Sequence, residues 1–343
     1  MIDVLINYGL FVAKAATIVA AIGIGAALMF ALSRRARPSE QLEVKNLNQK
    51  YEAMAQLVKR TVLSKKDYKR DAKATKARKK SEHKQEKKAP TAKKRIFVIH
   101  FRGDIKATAV SSLREEVTAV LTMATSADQV LVCLENAGGL VHEHGLAASQ
   151  LLRVKSHKIP LLVAVDKVAA SGGYLMACVA DRIIAAPFAV VGSIGVLAQL
   201  PNFHRLLDRH GIDFEQIKAG EFKRTVTVFG KNTDKERAKL KEEIEDTHSL
   251  FKSFVATHRP VLDIGGVSTG EHWYGTRALE LKLIDEVMTS DDYLLAQSKA
   301  ADLYEVRYTT RKNVSERLAS AVQSAFEATL ATWWPRPEHR RAM

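Results

Sequence analysis

The 343-residue sequence predicts an α/β protein with a mostly parallel sheet, preceded by an N-terminal transmembrane helix and a basic linker. Three observations carry this expectation. From Arg95 onward, short and nearly continuous apolar runs alternate with amphipathic stretches, the pattern of strands buried on both faces and joined by crossover helices. The N-terminal run Leu5–Leu32 (LINYGLFVAKAATIVAAIGIGAALMFAL) is apolar for the length a bilayer core requires. The formal charge of +15 is localised: Ser33 to Arg95 holds 22 Lys or Arg against 7 Asp or Glu, and the remainder is near neutral.

Taken in order, residues 5–32 form the expected membrane anchor, with Lys14 as their only charge and close enough to one end to snorkel toward the headgroups. A cleaved signal peptide is the alternative. It fits less well, because Asp3 and no Lys or Arg precede the span, and ALSRRAR follows it without a small-residue cleavage signature. The basic residues after the span place the rest of the chain in the cytoplasm by the positive-inside rule.

Residues 33–95 read as a basic juxtamembrane linker. After Leu63 it has few large apolar residues and ends in KATKARKKSEHKQEKKAPTAKKR, too polar to offset the entropy of ordering, so a solvated tether is expected. Its first half places Leu42, Leu47, Tyr51, Met54, Leu57 and Val58 at helical spacing, which suggests a juxtamembrane helix. Beside an anchor, the natural partner of such charge is anionic lipid headgroups, and nucleic acid is not expected.

Residues 96–310 form the expected folded domain. RIFVIHFRG, DQVLVCLEN and IPLLVAVDK read as strands, with helices at SSLREEVTAVLTMAT and HGLAASQLLRVK between them. RIIAAP and VGSIGVLAQ follow, then a helix around PNFHRLLDRHG, a strand DFEQIKA and a long charged helix DKERAKLKEEIEDTHSLFKSFVATH. TRALELKLIDEV and a further helix close the core, and residues 311–343 (with SERLASAVQSAFEATLATWW) read as a C-terminal amphipathic helix and tail. Ile183–Leu200 is charge-free over a short span length, but Pro187, Gly192 and Gly195 interrupt it and its β-branched clusters suit buried strands. Cys133 and Cys178 sit in apolar runs as buried thiols, and neither a disulfide nor a metal site is expected.

Chemistry concentrates at glycine turns. Gly138 and Gly139 follow the DQVLVCLEN strand, where backbone N–H groups can approach an oxyanion without an obstructing Cβ. Ser171, followed by Gly172 and Gly173, opens an apolar helix; it is either an N-cap or a nucleophile whose oxyanion would meet the Gly172 amide. For a base, His142, His144, His204, His210, His248, His258 and His272 all lack a neighbourhood that marks one. A lysine neutralised by burial can serve instead; Lys223, among Phe222, Val226 and Val228, is the first candidate, with Lys218 and Lys231 as rivals.

Together these segments resemble the signal peptide peptidase A family of serine proteases, peptidase family S49, and most closely its single-domain, membrane-anchored branch. LENAGG resembles the family's acidic-x-Pro-Gly-Gly turn, VAASGGYLMACVAD its nucleophile segment, VGSIGVL its substrate-strand motif and AGEFKRT its base motif. The resemblance implies a ClpP/crotonase-like fold and a Ser-Lys dyad of Ser171 as nucleophile and Lys223 as general base. It further implies Ser193 as the serine that positions the lysine, and an oxyanion hole from the N–H groups of Gly138 or Gly139 and of Gly172. It implies polypeptide substrates, no cofactor and a homo-oligomer with sites near subunit contacts. It also admits a periplasmic orientation in an inner membrane. One departure is visible: Asn136-Ala137 stands where the family has Ser-Pro, which leaves the turn without proline's fixed φ. Two other functions fit parts of the sequence: an acyl-CoA enzyme on the same fold, which has no use for Lys223, and a non-catalytic membrane scaffold.

Overall fold

The computed structural model describes Leu10, Lys14, Thr17, 40–88 and 93–310. The expected anchor and C-terminal amphipathic helix therefore lie outside the described residues, except for those three positions. Among the described residues no helix is long and apolar enough to cross a membrane. The chain divides into two compact units, Met1–Leu42 with Tyr308–Met343, and Glu43–Arg307. In the first, the Thr309 hydroxyl donates to the Gln41 carbonyl at 3.4 Å.

The main sheet runs in the order β1 (Glu40–Asn46), β10 (Asp302–Thr310), β2 (Arg95–Gly103), β3 (Gln129–Asn136), β4 (Leu161–Val165), β6 (Arg182–Ala185) and β9 (Glu286–Val287). From β10 to β9 every pairing along this path is parallel. A branch leaves it where β3 ends: β5 (Val168–Ala170) pairs with Asn136 and with β7 (Val190–Gly192), and β7 takes β8 (His272–Tyr274) antiparallel.

Both faces of the sheet are buried, which is why its strands read as unbroken apolar runs. Val130, Val132 and Leu134 of β3 join Phe97, Ile99 and Phe101 of β2 on one face. Helices Val110–Leu121, Val141–Ser156 and Gly172–Ala177 cover it with Leu113, Val117, Ala148, Leu151 and Met176. Leu131 and Cys133 point the other way with Ile96 and Val98, under Leu47 and Tyr51 of helix Leu47–Val62 and Tyr293 and Leu294 of helix Ser290–Gln297.

Three expectations change. The compact unit begins at Glu43 rather than near Arg95, because Leu47 is buried and Asn48 is clasped: its Nδ2 donates to the Ser298 and Ala301 carbonyls and its Oδ1 accepts from Leu303 N–H. The basic stretch read as a tether is helical over Lys65–Lys88, and its Asp71 pairs with Lys59 at 2.8 Å. As its β-branched clusters lead us to expect, Ile183–Leu200 contributes to strands β6 and β7 of the core. The segment expected as a strand at DFEQIKA is irregular, with no partner strand, and leaves Ile217 98% exposed. Strand β10, which sits inside the sheet, had no counterpart in the sequence reading. The charged helix Asp234–His258 has the expected ends, set at its start by a capping box between Thr233 and Glu236.

Both cysteines are free, and burial pushes each thiol up to about 12. Neither should react with Ellman's reagent at pH 8 until the chain is unfolded. Rapid modification of the native protein would contradict their burial.

Candidate active site

The site forms where β3 ends and β5 turns into helix Gly172–Ala177. Ser171 occupies that turn at φ 51° and ψ −119°, a region that non-glycine residues enter only under constraint. The constraint is visible on both sides. Its N–H donates to the Gly192 carbonyl of β7 at 2.8 Å, and its own carbonyl accepts from Leu175 N–H at 2.9 Å. Below, the helix is anchored by Tyr174, whose buried hydroxyl donates to the Leu283 carbonyl at 2.9 Å and which burial holds protonated.

This geometry answers whether Ser171 is a cap. It stands at the N-cap position, yet its hydroxyl makes no capping hydrogen bond and has no partner among the described residues. The first helical amide, that of Gly172, has no acceptor among the described residues, as the first amides of a helix lack intrahelical partners.

The glycine turn 138–139 lies against it. A Cβ at Gly138 would stand 2.7 Å from Ser171 Cβ and 2.9 Å from Gly172 N, so the approach exists only because that atom is absent. Gly138 also has φ 92°, which costs an L-residue roughly 1–2 kcal/mol. A Cβ at Gly172 would overlap the His144 ring, and one at Gly173 would overlap the Asn136 carbonyl. Of the two turn amides, Gly138 N–H already donates to Asn136 Oδ1 at 2.5 Å. Gly139 N–H has no acceptor among the described residues, so Gly139 and Gly172 are the free donors next to Ser171.

Ser193 is reached from Ser171 through Gly192 and is held at φ 51°. Its N–H donates to the Glu271 carbonyl at 2.6 Å, and its hydroxyl points to the Gly270 carbonyl at 3.4 Å rather than to a lysine. Lys223 is not brought to the serines. It sits in the irregular arm between β7 and helix Asp234–His258, exposed, and its ammonium has no partner among the described residues. The burial expected to neutralise it is absent in the single chain. Of its rivals, Lys218 is paired with Glu236 at 3.0 Å, and Lys231 is exposed. The arm carries a small aromatic cluster of Phe203, Phe214 and Phe229 and otherwise presents apolar side chains to solvent, including Leu197 and Ile217. Among the described residues no group of His, Cys, Asp and Glu side chains is arranged to hold a metal ion.

Sequence reasoning passed over His144, which is wholly buried under the site, as one polar histidine among seven. The only hint was its place eight residues after Asn136, the residue that departs from the turn pattern.

A hydroxyl displayed on a strained strand-to-helix turn beside unpaired amides has the chemistry of acyl transfer. The similarities agree with it and narrow the class. Residues 3–151 match Peptidase family S49 N-terminal and residues 153–306 match Peptidase family S49, and the chain belongs to that family of proteases. It is 44% identical over 337 residues to "Probable protease SohB" of Haemophilus influenzae, covering 94% of each chain. The SohB of Buchnera aphidicola subsp. Acyrthosiphon pisum is 52% identical over 238 residues, 69% of this chain and 71% of that one. Among solved structures, a mutant of the 1510-N membrane-bound stomatin-specific protease in complex with a substrate peptide aligns with a TM-score of 0.42 at 13% identity, covering 68% of this chain and 99% of that chain.

Gly138→Ala tests the cradle. The variant should fold, with a melting temperature lowered by several degrees, and should lose reaction of Ser171 with a fluorophosphonate; unchanged labelling would show that the close approach is not needed.

Proposed function

We propose that the protein is a membrane-anchored serine endopeptidase in which Ser171 and Lys223 form a catalytic dyad acting on signal-peptide remnants or unfolded, membrane-proximal polypeptides. The single observation that supports this most is the strained Ser171, whose hydroxyl has no partner among the described residues and whose Cβ and following amide crowd the Gly138 turn. The Ser171 oxygen attacks the scissile carbonyl carbon while neutral Lys223 takes the hydroxyl proton. The carbonyl oxygen becomes negative between the two amides. Lys223 then returns the proton to the leaving amine as the C–N bond breaks, and water completes hydrolysis of the acyl-enzyme by the same route in reverse. Ser193, one residue past β7, is the natural hydrogen-bond partner for a lysine that enters from the arm. A substrate held as an added strand would run along the unpaired segment that follows it, with small apolar side chains facing the groove.

A single chain leaves Lys223 exposed to solvent. In this proposal a homo-oligomer supplies the missing burial. Packing of neighbouring copies over the arm would cover its apolar side chains, desolvate Lys223 and carry it toward Ser171.

Two measurements test the reading. Ser171→Ala and Lys223→Ala should each abolish peptide hydrolysis, and Lys223→Ala should lower fluorophosphonate labelling of Ser171 by about 100-fold or more. Full hydrolysis by either variant would end the dyad proposal. Ile217→Asp, on the exposed face of the arm, should convert an oligomer to monomer by analytical ultracentrifugation and lose labelling in parallel. A monomer that labels at the wild-type rate would remove assembly from the mechanism.

A further inference from the structure

One buried histidine lies beneath both backbone segments that carry the free amides. The His144 ring fills the space a Gly172 side chain would need, so the peptide bearing one donor rests on it. Its Nε2 lies at hydrogen-bond distance from Asn136 Oδ1, 3.1 Å, and its Nδ1 at 2.9 Å from the Leu140 carbonyl oxygen. Asn136 Oδ1 also accepts from Gly138 N–H at 2.5 Å, an Asx turn across the peptide that leads to the other donor. Asn136 is 1% exposed and anchored in the sheet by pairing with Ala169. Its Nδ2 lies in space that Gly103 leaves open, and it has no hydrogen-bond partner among the described residues. A buried amide left unpaired is a net cost to folding, which points to a task for the side chain other than stability.

We infer that Asn136, seated by His144, is the positioning residue of the oxyanion turn. It holds Gly138 N–H, fixes the plane of the peptide that follows, and leaves Gly139 N–H as the donor that works with Gly172 N–H. The inference rests on Ser171 being the nucleophile. It also explains the one departure from the family pattern. Where a proline at position 137 would stiffen the turn by fixing φ, this chain has Ala137, and the Asn136 carboxamide provides the rigidity through a hydrogen bond. Neither side chain touches the reacting atoms; each acts through the amides it places.

The test uses the full chain in detergent, a fluorogenic peptide with small apolar side chains for kcat and KM, fluorophosphonate labelling of Ser171, and melting temperatures. Asn136→Leu, similar in shape but without the oxygen, should lower kcat and the labelling rate by about 100-fold, with KM within about 2-fold of wild type. Asn136→Asp keeps an oxygen for Gly138 N–H and should stay within about 5-fold of wild-type kcat, a rescue that loss of packing alone would not give. His144→Phe should lower kcat about 10-fold at unchanged KM, and it decides by the same criterion if Asn136→Leu fails to fold. The inference is overturned if Asn136→Leu retains wild-type kcat while Ser171→Ala is inactive. It is equally overturned if Asn136→Asp loses as much as Asn136→Leu, with both losses following melting temperature. If Ser171→Ala itself remains active, the nucleophile assignment has failed and the inference falls with it.

Discussion

Close approach of three backbone segments is the constraint on which the site depends. The end of β3, the 138–139 turn and the start of helix Gly172–Ala177 meet at distances that leave no room for a Cβ at Gly138, Gly172 or Gly173. Side chains at those positions would push the turn from the serine. The amides would then point into separate volumes rather than one. The strained dihedrals of Ser171 follow from the same crowding, since its N–H is fixed to Gly192 and its carbonyl to Leu175.

Such strain persists only on a rigid support, and the sheet provides it. Strands β2, β3 and β4 are covered on both faces, with Ile99, Val132 and Val163 wholly buried on one side and Val98, Leu131 and Leu162 on the other. A well-packed interior transmits displacement rather than absorbing it. The branch strand β5 takes its register from Asn136 and hands it to Ser171 two residues after Ala169. Scaffold and Ser171 are therefore one mechanical unit.

The arm that carries Lys223 is built on opposite terms. It has a three-ring aromatic cluster, one short helix at His204–Arg209 and little else that is buried. Its internal ties are hydrogen bonds such as those from Asn202 Nδ2 to the Thr227 and Gly230 carbonyls. The surroundings of Ser171, the proposed nucleophile, are built within one chain, whereas the proposed base is left exposed. A division of this kind would link activity to assembly, keeping a solitary chain inactive.

Much of the architecture was legible from periodicity. Continuous apolar runs identified β2, β3, β4 and β6, and the run DKERAKLKEEIEDTHSLFKSFVATH identified the helix Asp234–His258, because these features depend on neighbours close in sequence. Strand β10 escaped because its mixed composition, DLYEVRYTT, becomes a strand through the partners on either side of it. The sequence reads Leu47 and Asn48 as part of a juxtamembrane linker helix rather than of the core for the same reason: the hydrogen-bond partners of Asn48 lie some 250 residues away. By itself the sequence determined which residues are candidates for the chemistry, because a serine, a lysine and paired glycines in ordered motifs are chemical identities that folding does not alter. Only the tertiary structure decided which amides are free. Gly138 N–H is taken by Asn136 and Gly139 N–H is not, a distinction set by side chains that meet across the end of β3 and invisible in the spacing of LENAGG.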